Sequence, residues 1–206
     1  MNYGLLPKMM WMFFKKTFDK SLTDVWSIKN NKEVMKKAHS KYKSIIKSID
    51  KFDKKDQFII NILSCAMLAS ILLSLDFKPT LEEVKEYYRK STMSNKIMNL
   101  TKTERNYTVK GRKELKKSAE FSKTIKNPYS WVFDVEDGKT INEYTATFHT
   151  CGICYLMKKL GLEQYISALC ALDYDMAHAN NTEFTREYTL ASGGPYCDCH
   201  YHHRKK

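Results

Sequence analysis

Cysteine and histidine are crowded into the last third of this 206-residue chain. Five of its six cysteines (Cys151, Cys154, Cys170, Cys197, Cys199) and five of its six histidines (His149, His178, His200, His202, His203) follow residue 148. A thiol becomes a strong nucleophile once a nearby cation, a base or a helix N-terminus ionises it. A carboxylate or imidazole beside it can move protons. Three chemistries therefore compete for this region: cysteine-dependent catalysis, thiolate–imidazole zinc binding and dithiol exchange.

Spacing limits which of these residues can cooperate. Cys151 and Cys154 are three apart, as are Cys170 and Asp173, so each pair can share one face of a helix. Cys151 stands where a strand should enter a helix, so the helix dipole favours its thiolate. In a final strand, period two puts Cys197 and Cys199 on one face and Asp198, His200 and His202 on the other. The pair Cys151-Gly-Ile-Cys154 has redox dithiol spacing but does not follow the first strand of a βαβ unit. Paired with Cys197-Asp-Cys199-His200 forty-odd residues later, it lacks the tight spacing of a zinc finger. Of the terminal run from His200 to Lys206, only His200, nearest the glycine turn, is a serious site candidate.

Two kinds of element must position these residues. Residues 1–127 read as helices: an amphipathic N-terminal helix with Leu5, Met9, Met10, Phe13, Phe14 and Phe18 near one side, and a second helix over Asn31–Phe52. Phe58 to Leu75 carries no charge and reaches the length of a membrane-span candidate. Asn61, Ser64, Ser70 and Ser74 interrupt it, so a buried central helix explains it as well. Thr80-Leu-Glu-Glu83 has the form of a capping box opening a helix to about Lys90. Ser91–Thr108 reads as a surface loop, Lys110–Lys123 as a further helix, and Asn127-Pro128 as its stop. Alternation then takes over. Trp131, Phe133 and Val135 mark one strand, Asp137-Gly138 a turn, and Tyr144, Ala146 and Phe148 the next strand. Helices over Cys151–Leu160 and Leu162–Ala179 follow, then strands over Thr185–Ala191 and Tyr196–His202 joined through Ser192-Gly-Gly-Pro195. The expectation is one α+β domain over residues 1–206, a helical N-terminal half packed with about four antiparallel strands from the C-terminal half.

The net charge of +12 is uneven: residues 1–127 hold 28 Lys/Arg against 13 Asp/Glu, and residues 128–206 hold 7 against 10. Lysines at helical spacing, such as Lys32, Lys36, Lys37, Lys43 and Lys47, read as a solvated face, since no recognition pattern for nucleic acid accompanies them. The N-terminus lacks an apolar run followed by a small-residue cleavage site. A cytoplasmic protein with reduced thiols is expected, without stable membrane insertion, and a homo-oligomer is left open.

The stretches Cys151-Gly-Ile-Cys154, Leu169-Cys-Ala-Leu-Asp173-Tyr-Asp175, Arg186-Glu-Tyr-Thr-Leu-Ala-Ser-Gly-Gly194 and Cys197-Asp198 together resemble the L-2-amino-thiazoline-4-carboxylic acid hydrolase family. The resemblance covers about Phe148 to His200 and departs from the family's usual pattern at Cys199-His200. It implies hydrolytic C–N opening of a small cyclic amidine or amide, with no cofactor and no metal. Cys197 is then the expected nucleophile and Asp173 the acid/base, with Cys170 and Cys151 as alternative nucleophiles and Asp198 and His200 as further catalytic candidates. Arg186, Thr189, Gly193 and Gly194 would bind substrate. The competing reading is a zinc- or small-ligand-binding regulatory domain without turnover.

Overall fold

The computed structural model describes residues 1–96, 98 and 104–204. It is an α+β fold: seven α-helices and one four-stranded antiparallel open sheet among these residues, with the sheet formed entirely by the C-terminal half. The helices are α1 (Leu5–Trp26), α2 (Asn31–Ser48), α3 (Ile59–Leu72), α4 (Leu81–Met93), α5 (Val109–Ser122), α6 (Gly152–Lys159) and α7 (Ile166–Ala179). The strands are β1 (Phe133–Asp137), β2 (Glu143–Phe148), β3 (Thr182–Thr185) and β4 (Cys197–His203), in spatial order β1-β2-β4-β3.

Helix α3 is the axle of the helical half. Ten of its fourteen residues, including Ile62, Leu63, Met67 and Leu68, are buried. Its apolar run is spent on neighbouring helices, and no helix among the described residues is long and apolar enough to cross a membrane. Ser70 Oγ donates to the Met67 carbonyl at 2.7 Å and Ser74 Oγ, just past the helix, to the Ser70 carbonyl at 2.7 Å, while the Ser64 hydroxyl pairs with the Tyr88 hydroxyl of α4 at 2.7 Å.

The buried seam of α1 is Pro7, Met10, Trp11, Phe14, Phe18, Ser21 and Leu22. This corrects the expected seam, because Leu5 and Phe13 face outward. The segment is apolar on nearly every side, so periodicity alone does not fix its phase. The stacking of Trp11 on His39 of α2 does. Helix α2 ends at Ser48 rather than Phe52, with Ile49 turning extended while Ile49 and Phe52 stay in the core.

The capping box of α4 is present. Glu83 N–H donates to Thr80 Oγ1 at 3.3 Å, and Thr80 N–H donates to the Glu83 carboxylate at 2.7 Å. Helix α4 continues to Met93, and a 3-10 turn spans Glu104–Tyr107, so both ends of the expected loop are ordered as helix. Residues 97 and 99–103 of that loop lie outside the described residues.

Arg112 of α5 clamps the β1–β2 hairpin. Buried to 4% exposure, its guanidinium donates to Asp137 Oδ1 at 2.8 Å and to the carbonyls of Glu143 and Ile141 at 3.0 Å. The register then pairs Ala146 with Cys199 and Phe148 with Cys197 on the inner face of the sheet, and Thr145 with His200 and Thr147 with Asp198 on the outer face.

The third strand is shorter and earlier than expected. It covers Thr182–Thr185, and Arg186 to Ala191 do not join the ladder. The reason lies in backbone donors. The Asp198 carboxylate accepts the N–H groups of Glu187 (3.1 Å) and Tyr188 (2.6 Å), and Thr189 caps a 3-10 turn over Leu190–Ser192. These groups are satisfied by side chains, so the segment leaves the sheet.

Candidate active site

Immediately after β3, Arg186 turns its side chain inward until only 7% of it is exposed. Its Nη1 donates to Asp173 Oδ2 at 2.9 Å and its Nη2 to the Cys170 carbonyl at 2.6 Å. The guanidinium carbon lies 5.1 Å and 5.2 Å from the ring centres of Tyr174 and Phe184. A planar fork with two acceptors and two aromatic walls fixes Arg186 in place, as a lysine could not.

Asp173 projects from α7 one turn beyond Cys170. Protein surrounds it, yet 47% of its side-chain surface remains open, because it lines a cavity of about 180 Å³ with Tyr107, Tyr144, Tyr201, Asn106 and Asn180. Burial raises its carboxyl above the ordinary aspartate value, and the Arg186 charge only partly opposes this.

The thiols gather around this ion pair. Cys170, Cys197 and Cys199 all lie within the electrostatic reach of Asp173 and Arg186, and Cys151 lies within that of Cys170 and Cys197. Burial, then the Asp173 charge, pushes Cys170 up to about 12, and Cys199 likewise. Cys151 is pushed well above the usual thiol value, first by its hydrogen bond with Cys154 and then by burial. Burial raises Cys197 too, but there the Leu190 N–H, 3.2 Å from Sγ, and Arg186 both favour the thiolate. All six cysteines are free, and Cys65 of α3 is fully buried beneath the others.

The remaining expected site residues divide into two groups. Asp198, Thr189, Gly193 and Gly194 build the loop that carries the Leu190 N–H to Cys197. Burial works against the Asp198 charge, but donation from Tyr188, Glu187 and His200 outweighs it and holds the carboxyl below its ordinary value. Thr189 Oγ1 accepts the Ser192 N–H at 3.1 Å. Gly193 takes φ +85°, and a Cβ on Gly194 would lie 2.9 Å from the Thr189 carbonyl oxygen, so both positions need glycine. His200 stands apart on the outer face, half exposed, with Nδ1 2.8 Å from Thr145 Oγ1 and Nε2 3.3 Å from Asp198.

Sequence reasoning missed Cys199 as a member of the cluster, although its alternation with Cys197 was the signal for it. It also missed the three tyrosines of the cavity, which carry no motif. Among the described residues, no group of three or more His, Cys, Asp or Glu side chains is arranged to hold a metal. A larger groove of about 730 Å³, between α5 and the β1–β2 turn and edged by Lys113, Lys116, Lys117 and Lys139, shares no lining residue with the Asp173 cavity.

A family model described as L-2-amino-thiazoline-4-carboxylic acid hydrolase matches residues 66–201. The match extends the C-terminal resemblance back into α3 and takes in every residue of the thiol cluster except Cys65. No curated protein and no solved structure matches the chain.

Proposed function

The chain belongs to the L-2-amino-thiazoline-4-carboxylic acid hydrolase family, and we propose that it opens the ring of a thiazoline-carboxylate-like cyclic amidine, with Cys197 as nucleophile and Asp173 as acid/base. The observation that carries this reading is the Arg186–Asp173 pair. It holds a carboxyl of raised pKa at a cavity wall and within electrostatic reach of Cys170, Cys197 and Cys199, although none of these thiols lines that cavity. Among those thiols, Cys197 has an N–H donor at its sulfur and is half-buried.

The amidine carbon between two nitrogens and a sulfur is electrophilic once a nitrogen is protonated. The Cys197 thiolate adds to it while Asp173 delivers its proton to the ring nitrogen. Expulsion of that nitrogen opens the ring. Water, deprotonated by the Asp173 carboxylate, then displaces the thiolate, so each group returns to its starting state. Arg186 is a positioning residue in this scheme, because both ends of its fork are occupied by Asp173 and the Cys170 carbonyl. The small cavity at Asp173 is lined by amide and phenol groups and by no cysteine, so in this reading a compact polar substrate must extend from it toward Cys197.

Turnover of L-2-amino-thiazoline-4-carboxylate, followed by NMR, tests the reading. Replacement of Cys197 by alanine should lower kcat by at least about 10³-fold, with Cys170→Ala and Cys151→Ala keeping activity. Full activity in all three variants would show cysteine catalysis to be wrong. Stoichiometric metal in protein purified without chelator, together with no turnover, would favour the ligand-binding alternative.

A further inference from the structure

Two of the thiols form a unit that the hydrolytic scheme does not use. Cys151 is the N-cap of α6 and Cys154 is the third residue inside it. Side chains at these positions lie together over the first turn, the relation that a capping box exploits with oxygen atoms. Here both are sulfur, and the interaction with Cys154 is the first cause that raises the Cys151 thiol. Helix positions three apart have Cβ atoms about 5–6 Å apart and a disulfide needs about 3.5–4.5 Å, so closure requires a small backbone adjustment, which the non-helical Cys151 (φ −139°, ψ 113°) is placed to make.

The surrounding backbone keeps the pair in register. A Cβ on Gly152 would lie 1.9 Å from the Tyr129 carbonyl oxygen, so only glycine lets α6 begin this close to its neighbour. Thr150 Oγ1 accepts the Val132 N–H at 2.8 Å, and the His149 N–H donates to the Val132 carbonyl at 2.8 Å, which pins the strand end before Cys151. The two sulfurs are free and each residue is partly exposed, so a small reagent can reach them. Backbone N–H groups at the helix start favour the Cys151 thiolate, against the stronger opposing effects of Cys154 and burial, so exchange at this pair should speed up as pH rises. Cys65 and Cys199, by contrast, are buried.

We propose that Cys151 and Cys154 are a redox-active dithiol that closes to an intrahelical disulfide by exchange with a small disulfide of the glutathione class. One protein thiolate attacks the reagent's S–S bond, forming a mixed disulfide and releasing one thiolate. The second protein thiolate attacks the mixed disulfide, forming the Sγ–Sγ bond and releasing the other. Two electrons and the two thiol protons of the protein pass to the reagent, which leaves as two thiols. The pair acts without the thioredoxin topology, since the strand that precedes it, β2, lies in an antiparallel sheet.

The test equilibrates the full chain with oxidised and reduced glutathione at graded ratios, traps free thiols by alkylation, and maps the peptides by mass spectrometry. The expected result is a peptide holding Cys151 and Cys154 that is lighter by two hydrogens, unalkylated, and restored by dithiothreitol. In Cys154→Ser the intrahelical disulfide should be replaced by a glutathione adduct on Cys151. Cys151→Ser puts a hydroxyl at the N-cap, a residue type that position favours, and so preserves the helix start. It should form no intrahelical disulfide. The proposal is overturned if both thiols of the native chain stay alkylated at every ratio, or if either pairs with Cys170 or Cys197 instead. Because the readout is covalent state, failure of ring opening leaves the result untouched.

Discussion

At the scale of single residues, Asp173 is the group whose environment and chemistry are most tightly joined. Its folded pKa is raised by burial despite the Arg186 partner. A carboxyl that holds its proton more tightly folded than unfolded contributes stability at low pH. That contribution is lost as pH rises from the unfolded value through the folded one. The same shift shapes activity. A scheme needing one proton between Asp173 and Cys197 gives a bell-shaped kcat/KM, with its acid limb above the ordinary aspartate value of 3.8 and its base limb set by the thiol. Asp173→Asn should lower kcat/KM by about 10²-fold and turn the bell into a single rise toward high pH. An unchanged bell in that variant would remove Asp173 from proton transfer. Part of this site is legible in the sequence alone. The period of β4 placed Cys197 and Cys199 on one face, and the i, i+3 spacing placed Cys170 beside Asp173. The Arg186–Asp173 pair was not legible, because the two residues sit on different elements. Arg186 turns inward at the point where Asp198 takes the following N–H groups out of the sheet.

At the scale of elements, the boundaries that sequence marks with hydrogen-bonding side chains survive, and those it marks only with apolar periodicity drift. Thr80 and Glu83 state where α4 begins, and it begins there. The apolar run of α1 and the alternating segment Arg186–Ala191 state no phase or end, and both are set by tertiary partners: the Trp11–His39 stack in one case, the Asp198 carboxylate in the other. Helix α4 packs between α1 and α7 and so holds the helix that carries Cys170 and Asp173. Removing the cap with Thr80→Ala should cost about 1 kcal/mol, read as a lower urea midpoint with an unchanged m-value. The Glu83 carboxyl is held below its usual range by hydrogen bonds from the Thr80 backbone and side chain. Stability from these carboxylate bonds is therefore present above the unfolded glutamate pKa and lost as pH falls through the folded one. The difference between Thr80→Ala and the native chain should narrow at acid pH without vanishing, because the bond from Thr80 Oγ1 to the Glu83 carboxylate titrates and the Glu83 N–H to Thr80 Oγ1 bond does not. A difference that persists undiminished below the carboxylate range would assign the effect to something other than the box.

At the scale of the whole molecule, the contrast between a basic helical half and a slightly acidic α+β half, +15 against −3 by residue count, does not coincide with a break in the core. One cluster of buried side chains runs from Met10 and Phe18 of α1 through α3 to Trp131, Leu156 and Leu169. Phe148 packs against both this cluster and the smaller one beneath the sheet, where Tyr144, Ala146, Phe184 and Cys199 meet. Phe58, just before α3, is the joint on the helical side, with ring centres 4.8 Å from Trp131, 5.5 Å from Phe133 and 6.2 Å from Phe148. Shared packing of this kind predicts one cooperative unit over the full chain. Amides of α3 and of β2 and β4 should then exchange hydrogen through the same global opening, with equal free energies. Phe58→Ala removes a half-buried ring and should lower both by the same amount, about 2 kcal/mol. If the substitution lowers protection in α3 and leaves the strands unchanged, the two halves are separate units. The positioning of the thiol cluster would then rest on the C-terminal half alone.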